Sequence, residues 1–275
     1  MKILNSFFYI FLITLGSTFL NAQHSSFIYE LNYKPISDTI KKDKIVFYLD
    51  IKDKESLFRS DSFRRSDSLR AKRGFGNGYD MEYNNKQLYV YKNSESKEIL
   101  KYVFVPLIFS TYAIPINEQF HWIISDEKKK IGNYNCQKAE LDYGGRKWIA
   151  WFTNEINLQE GPYIFHGLPG LIIKIYDEKS DYDFELSQII NFNWNKLYRE
   201  KFQKQISWAD FQKLQKNFYS DPLALINKSD IKSFDDGGNL IKTNFKEMLE
   251  DIQKSIRKKN NPIELNYKID FEFLK

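Results

Sequence analysis

Gly144-Gly145 stands between two runs, Tyr134–Tyr143 and Arg146–Thr153, and this pair constrains the fold more than any other feature. Two consecutive glycines accept positive φ at both central positions of a two-residue hairpin. The flanking runs therefore read as antiparallel strands whose register the turn sets. It opposes Tyr143 to Arg146, Asp142 to Lys147, Leu141 to Trp148, and Ala139 to Ala150. Asp142 and Lys147 then face each other as opposite charges, a pairing that contributes about 0.2–1 kcal/mol. One face carries Ala139, Leu141, Trp148, Ala150 and Phe152. The other carries Lys138, Glu140, Asp142 and Lys147, but also Ile149 and Trp151. The sheet is expected to cover something on both sides near its far end.

The remaining chain supplies further strands. Ser26–Tyr33, Lys44–Ile51, Gln87–Tyr91, Lys101–Val105 and His121–Ser125 are rich in aromatic and β-branched residues. Leu171–Asp177 and Tyr182–Ile190 form a second hairpin around Glu178–Asp181. In its second strand Tyr182, Phe184 and Leu186 alternate with Asp183, Glu185 and Ser187, as a sheet with one solvated face requires. Between Glu55 and Arg73, Ser-Asp-Ser-Phe-Arg (60–64) is nearly repeated at 66–70, which reads as a charged surface helix or loop. Gly74, Gly76 and Gly78 mark a turn, but no clear helix follows to make a phosphate loop. Towards the C-terminus the period changes. Ser207 caps a helix with Asp210 three positions on, Trp208, Phe211, Leu214 and Phe218 line its stripe, and Pro222 ends it. A second helix carries Phe245, Met248, Leu249, Ile252 and Ile256. Ile263–Phe273 reads as a last strand or an extended tail. Without a Pro/Gly/Ser-rich linker, residues 23–275 are expected to be a single α+β domain. It should be predominantly antiparallel β, a curved sheet or half-barrel with two C-terminal helices packed on it.

The N-terminus has the pattern of an export signal over residues 1–22. Lys2 is the positive start, Ile3–Leu20 is mostly apolar, and small Ala22 precedes the cut. No later segment is apolar and long enough to cross a bilayer. No Cys lies near the cut, so lipid attachment there is not available. The 41 Lys+Arg and 36 Asp+Glu are interspersed, for a net charge of +5, which argues against a dedicated nucleic-acid binder. One Cys forbids an intrachain disulfide, and one Cys with three His leaves little for a metal site.

Gly161-Pro162-Tyr163-Ile164-Phe165-His166-Gly167-Leu168-Pro169-Gly170-Leu171-Ile172 sets three Gly and two Pro among bulky apolar residues, and Pro169-Gly170 suits a type II turn. These residues resemble the GLPGLI family of exported bacterial proteins, named after the hexapeptide at Gly167–Ile172. Ile131–Ala139 is similar to the family's Gly-x-x-x-Cys-x-Lys-Ala segment. Arg146–Thr153 is similar to its following strand, with Phe152 where the family often has Tyr. Gly161–Phe165 is similar to its lead-in, and Asn261-Pro262-Ile263-Glu264 to its tail. The resemblance implies an envelope protein of a Gram-negative bacterium. The family has no established activity, so it supplies no catalytic residues. Its motif does mark Trp148, Trp151, Gly161, Pro162, Tyr163, Phe165, Gly167, Leu168, Pro169, Gly170, Leu171 and Ile172 as candidate binding residues.

Catalytic constellations are weaker. Cys136 with His166 is a conceivable thiolate pair, with His121 or Asp142 orienting it, but the register puts Cys136 on the face of Lys138 and Glu140. His121, Cys136 and His166 have no metal-ligand spacing. Pairs such as Asp142 with Asp177, or Asp181 with Asp183, arise by chance among so many acids, and Asp235-Asp236-Gly237 lacks the ligand positions of a calcium loop. No cofactor is expected. The aromatic share of 17% exceeds what one buried face needs. The leading expectation is therefore a non-catalytic binding protein for a hydrophobic or lipidated ligand. The alternatives are an accessory component of an outer-membrane system, working through a sheet edge or exposed aromatics, and an enzyme with an unrecognised site.

Overall fold

The computed structural model describes residues 24–37, 39–74, 88–105, 110–192, 197–199, 201–202, 204–224 and 227–273. The export signal expected at 1–22, and Gly76, Gly78 and Gln87, lie outside these residues. Eleven strands build the main sheet. Before α1 (Asp61–Arg73) come β1 (His24–Tyr33), β2 (Asp43–Lys52) and β3 (Glu55–Ser60). After it come β4 (Tyr89–Asn93), β5 (Glu98–Val105), β6 (Ser110–Pro115), β7 (Ile123–Ile131), β8 (Tyr134–Tyr143), β9 (Arg146–Thr153), β10 (Leu171–Asp177) and β11 (Tyr182–Asn191). Their spatial order is β6-β5-β4-β3-β2-β1-β11-β10-β9-β8-β7, and every neighbouring pair is antiparallel. Two meanders thus meet where β1 pairs with β11.

This order forces curvature. β6 and β7 are consecutive in sequence but lie on opposite edges, with only residues 116–122 between them. Eight Cα–Cα steps reach at most about 29 Å. Ten strand spacings would hold the edges of a flat sheet about 48 Å apart. The sheet must curl until the link can reach, and β-bulges supply bends at Ile28/Tyr29, Ile172/Lys174 and Ile124/Lys128.

Both faces of the curled sheet are covered. The concave face holds Phe27, Tyr29, Leu31, Phe47, Leu49, Phe58, Val90, Val103, Leu141, Trp148 and Phe152 in one core. On the convex side Leu57, Tyr89, Tyr91, Leu100, Tyr102 and Phe104 pack under Phe63 of α1 and under Leu197 and Phe202. The near-repeat at 60–70 is therefore the end of β3 running into α1. Ser60 caps the helix by accepting from Phe63 N, and Gly74 (φ 81) ends it. Charges bring α1 onto the sheet. Asp50 Oδ2 pairs with Arg59 (3.1 Å) and with Arg64 of α1 (3.0 Å), and Arg59 also binds Asp67. Tyr89 donates to Asp67 at 2.6 Å.

The hairpin register matches the expected one throughout, from Tyr143–Arg146 to Ala139–Ala150. The expected pairing of Asp142 with Lys147 does not form between the side chains, because Lys147 reaches diagonally to Glu140 (3.2 Å). In the C-terminal part, α2 (Trp208–Ser220) has the expected Ser207/Asp210 capping box. Ile206 and Phe211 join the main core. A short ribbon, β12 (Ser233–Phe234) and β13 (Leu240–Ile241), precedes α3 (Phe245–Lys258). α3 packs with Phe218 and Tyr219 of α2, Val105 of β5, and Ile269 and Phe271 of the tail. Residues 263–273 contain two single-turn 3-10 helices rather than a strand. No described helix is long and apolar enough to cross a membrane.

Asp50 and Arg59 are both almost fully buried, so Asp50→Ala leaves Arg59 short of a charge partner and should cost about 3–5 kcal/mol. Glu250→Ala removes an exposed pair with Lys246 (4.0 Å) and should cost under about 1 kcal/mol. Equilibrium urea unfolding followed by tryptophan fluorescence measures both.

Candidate functional site

The segment between β9 and β10 lies in the concavity and closes on itself before entering β10. Glu160 and His166 form an antiparallel bridge. Gly167 N donates to Gln159 O (3.1 Å), Phe165 N to Pro162 O (3.1 Å), and Ile172 N to Glu160 O (3.0 Å). Tyr163, Phe165, Leu168, Leu171 and Ile172 are fully buried, as are Gly161 and Pro162 nearly so, while Gly167 and Pro169 are exposed. The expected type II turn is absent. Gly170 has φ 153, and its N donates to Leu168 O (2.7 Å), a three-residue turn centred on Pro169. Glycine is required there by close approach, since a Cβ would stand 2.1 Å from Thr153 O. Trp148 lies on the concave face with its ring 4.6 Å from Phe165, and its Nε1 donates to Tyr143 O. Trp151 lies on the other face, with Lys129 Nζ 3.7 Å above its ring.

Buried charges hold the segment in place. From β4, Lys92 pairs with Glu160 and donates to Gly161 O at 3.2 Å. Ser56 of β3 donates to the same carboxylate at 3.0 Å. From β5, Lys101 Nζ donates to Tyr163 Oη (2.7 Å) and to Glu264 Oε2 (2.8 Å). Tyr163 donates to Glu264 Oε1, and Tyr143 does so at 3.4 Å. Burial first, and then the Glu264 carboxylate, push both phenols far above their usual range, so they stay protonated donors.

Glu264 is brought in by the C-terminal tail, which packs against the glycine hairpin. Gly144 (φ 64) and Gly145 (φ 75) satisfy the turn, and a Cβ on Gly144 would meet Glu264 Cα at 3.2 Å. Gly144 O accepts from Leu265 N at 2.6 Å. Arg146 fastens this junction. It donates to Asp177 (3.0 Å), Asp181 (3.1 Å), Asn261 Oδ1 (2.7 Å), Ile263 O (2.9 Å) and Pro262 O (2.8 Å). The stretches that carry the sequence resemblance around 146, 163 and 264 are thus one connected network. The β6–β7 link closes over it. Phe120 meets Tyr143 edge-on and lies tilted against Phe165, and Trp122 Nε1 donates to His166 O (2.8 Å).

The candidate catalytic groups are not brought together. Cys136 is buried on the face of β8 opposite Leu141, its thiol facing Tyr134 O (3.7 Å), and burial pushes its pKa up to about 11. At neutral pH such a thiol is a poor nucleophile. His166 Nδ1 lies 2.9 Å from Ile164 O, and burial, followed by the charge of Lys92, lowers its pKa. Asp177 and Asp181 are both engaged by Arg146. Among the described residues no three His, Cys, Asp or Glu gather as a metal site. Two clefts lined by described residues are surface features. One of about 290 Å³ lies between Ser37, Arg257, Lys268 and Asp270, and one of about 230 Å³ between Lys128, Cys136, Asn154 and Glu155. Chemically the network neutralises its own charges and clamps the chain. Sequence reasoning passed over Lys92, Lys101, Arg146, Glu160 and Glu264. The available signal was alternation, which puts Lys101 on the same face as Ile99 and Val103, a place where an unpaired lysine is costly.

The model of a family described as "Protein of unknown function (Porph_ging)" matches residues 144–174, the glycine hairpin through β10. No curated protein matches the sequence. Among solved structures, PNGF-II in a C2 crystal form is similar at 16% identity and TM-score 0.48, covering 70% of this chain and 32% of that one. PNGF-II in a P21 form gives 14% identity and TM-score 0.49, covering 70% and 33%. The chain thus spans about a third of the length of PNGF-II. The LolA superfamily protein NE2245 from Nitrosomonas europaea is similar at 9% identity and TM-score 0.28, covering 66% of this chain and 91% of that one. At TM-scores under 0.5 these likenesses carry nothing about function.

Within the matched stretch the glycines separate by cause. Gly170→Ala drives a methyl group into Thr153 O and should cost about 3 kcal/mol. Gly167→Ala keeps φ near +89 with nothing within 4 Å, and should cost about 1–2 kcal/mol of left-handed strain. Thermal and urea unfolding of the two variants check the order.

Proposed function

We propose that this chain is an exported, non-catalytic binding protein of the GLPGLI type in the envelope of a Gram-negative bacterium, with a hydrophobic or lipidated ligand. The supporting observation is where apolar surface remains. The concavity is occupied by residues 160–172, with Tyr163, Phe165 and Ile172 fully buried. α3, by contrast, buries only Ile256, while Phe245, Met248, Leu249 and Ile252 of its stripe stay half-covered. Beside it in sequence, Phe234 and Leu240 pair across β12 and β13 and are 60% and 65% exposed. Ser233 Oγ donates to Thr243 Oγ1 (2.9 Å), which ties the base of this ribbon to the start of α3. Apolar side chains left in water on a tethered ribbon and an incompletely buried helix face fit an acyl chain or a similar apolar group.

The test is extraction of detergent-free native protein with organic solvent, followed by mass spectrometry. The wild-type chain should yield an acyl-bearing lipid, and the double variant Phe234→Ser/Leu240→Ser should yield at least fivefold less at an unchanged unfolding midpoint. Equal yields from both, or none from the wild type, would contradict the reading.

A further inference from the structure

The two edges of the main sheet are treated differently. The outer edge of β6 is covered by the chain itself. Ala113 bridges Gln205 in parallel, Ala113 N donates to Lys204 O (3.2 Å), and Ile206 N donates to Ala113 O (2.9 Å). β7, at the other edge, pairs only with β8 among the described strands. Its outer row of backbone donors and acceptors is therefore open to a further strand. At its start, Ile123 and Ile124 are 72% and 45% exposed. Adjacent strand residues point to opposite faces, so an added strand would shelter one isoleucine on each.

The same edge carries Lys128, Lys129 and Lys130, all exposed. Nearby Glu127 and Glu140 pair with Lys138 (3.3 and 3.0 Å), and Glu140 also with Lys147. Among the described residues no carboxylate is within ion-pair reach of the three lysines, and Lys129 lies over Trp151. Lysines on an edge deter pairing with neutral or basic strands. By the same electrostatics they select an acidic one.

We infer that β7 is a strand-addition site for an acidic, extended segment of a partner protein. Antiparallel addition continues the pattern of the whole sheet. The incoming segment would carry its carboxylates at its N-terminal end, against Lys128–Lys130, and apolar residues at its C-terminal end, against Ile123 and Ile124. Main-chain hydrogen bonds supply affinity and the charges set register. This surface is independent of α3 and the β12–β13 ribbon, so its failure leaves the lipid reading untouched.

The probe is a fluorescein-labelled ten-residue peptide with three Glu/Asp at its N-terminal half and alternating Val and Thr at its C-terminal half. Fluorescence polarisation with the full chain should show saturable binding that weakens as salt is raised. Lys128→Glu/Lys130→Glu should weaken it at least tenfold, and a peptide with proline at its centre should not bind. These surface substitutions are not expected to disturb folding, which circular dichroism checks. Absent binding, or equal binding by the charge-reversed variant, overturns the proposal. So does sedimentation showing a dimer of this chain that the charge reversal disrupts, since β7 would then serve a second copy.

Discussion

Residues 116–122 connect opposite edges of an eleven-stranded sheet, and the rest of the structure depends on that short reach. A flat sheet cannot satisfy it, so the sheet curls, and a curled sheet has a concavity that must be filled or left wet. This chain fills it from within, with the segment between β9 and β10. Tyr163, Phe165 and Leu168 take the space that a ligand would otherwise occupy. Phe120 and Trp122 of the short link then lie across the segment, so the element that enforces the curl also closes it.

Filling a concavity with one's own chain raises a problem of position, which buried charges solve here. Lys92 and Lys101 point inward from strands that are otherwise apolar, and each finds a carboxylate: Glu160 in the segment and Glu264 in the tail. Burying such groups is expensive unless every partner is in place, so few other arrangements of segment and tail are tolerated. Arg146 does the same for the tail and the β10–β11 turn. A site that neutralises its own charges has little left to bind with. The apolar and basic groups that remain open lie on the exterior, at Phe234, Leu240, Ile123 and Lys128–Lys130.

Much of the fold was legible from local chemistry. The glycine pair set the β8–β9 register, and Ser207 with Asp210 set the start of α2, because both signals act within a few residues. β3 was passed over, since the near-repeat at 60–70 pointed to a helix or loop and the partners of Arg59, Asp50 and Asp67, are not marked by any local pattern. β6 was missed beside Pro115. The tail stayed open between a strand and an extended segment because nothing local shows that Arg146 and Gly144 take its backbone groups. The motif residues were recognisable, but a run of Gly, Pro and aromatics looks alike whether it lines a cavity or fills one. Only the long-range contacts of Lys92, Lys101 and Glu264 distinguish the two, and those contacts bridge up to 163 residues.

The motif segment is clamped by buried charges in the concavity it fills. A double-mutant cycle on Lys101→Met and Glu264→Gln, measured by urea unfolding, tests it most directly. The account predicts that each single change costs about 3–5 kcal/mol and that the pair together costs far less than the sum. Single costs under about 1 kcal/mol that simply add, as for solvated charges, would contradict it.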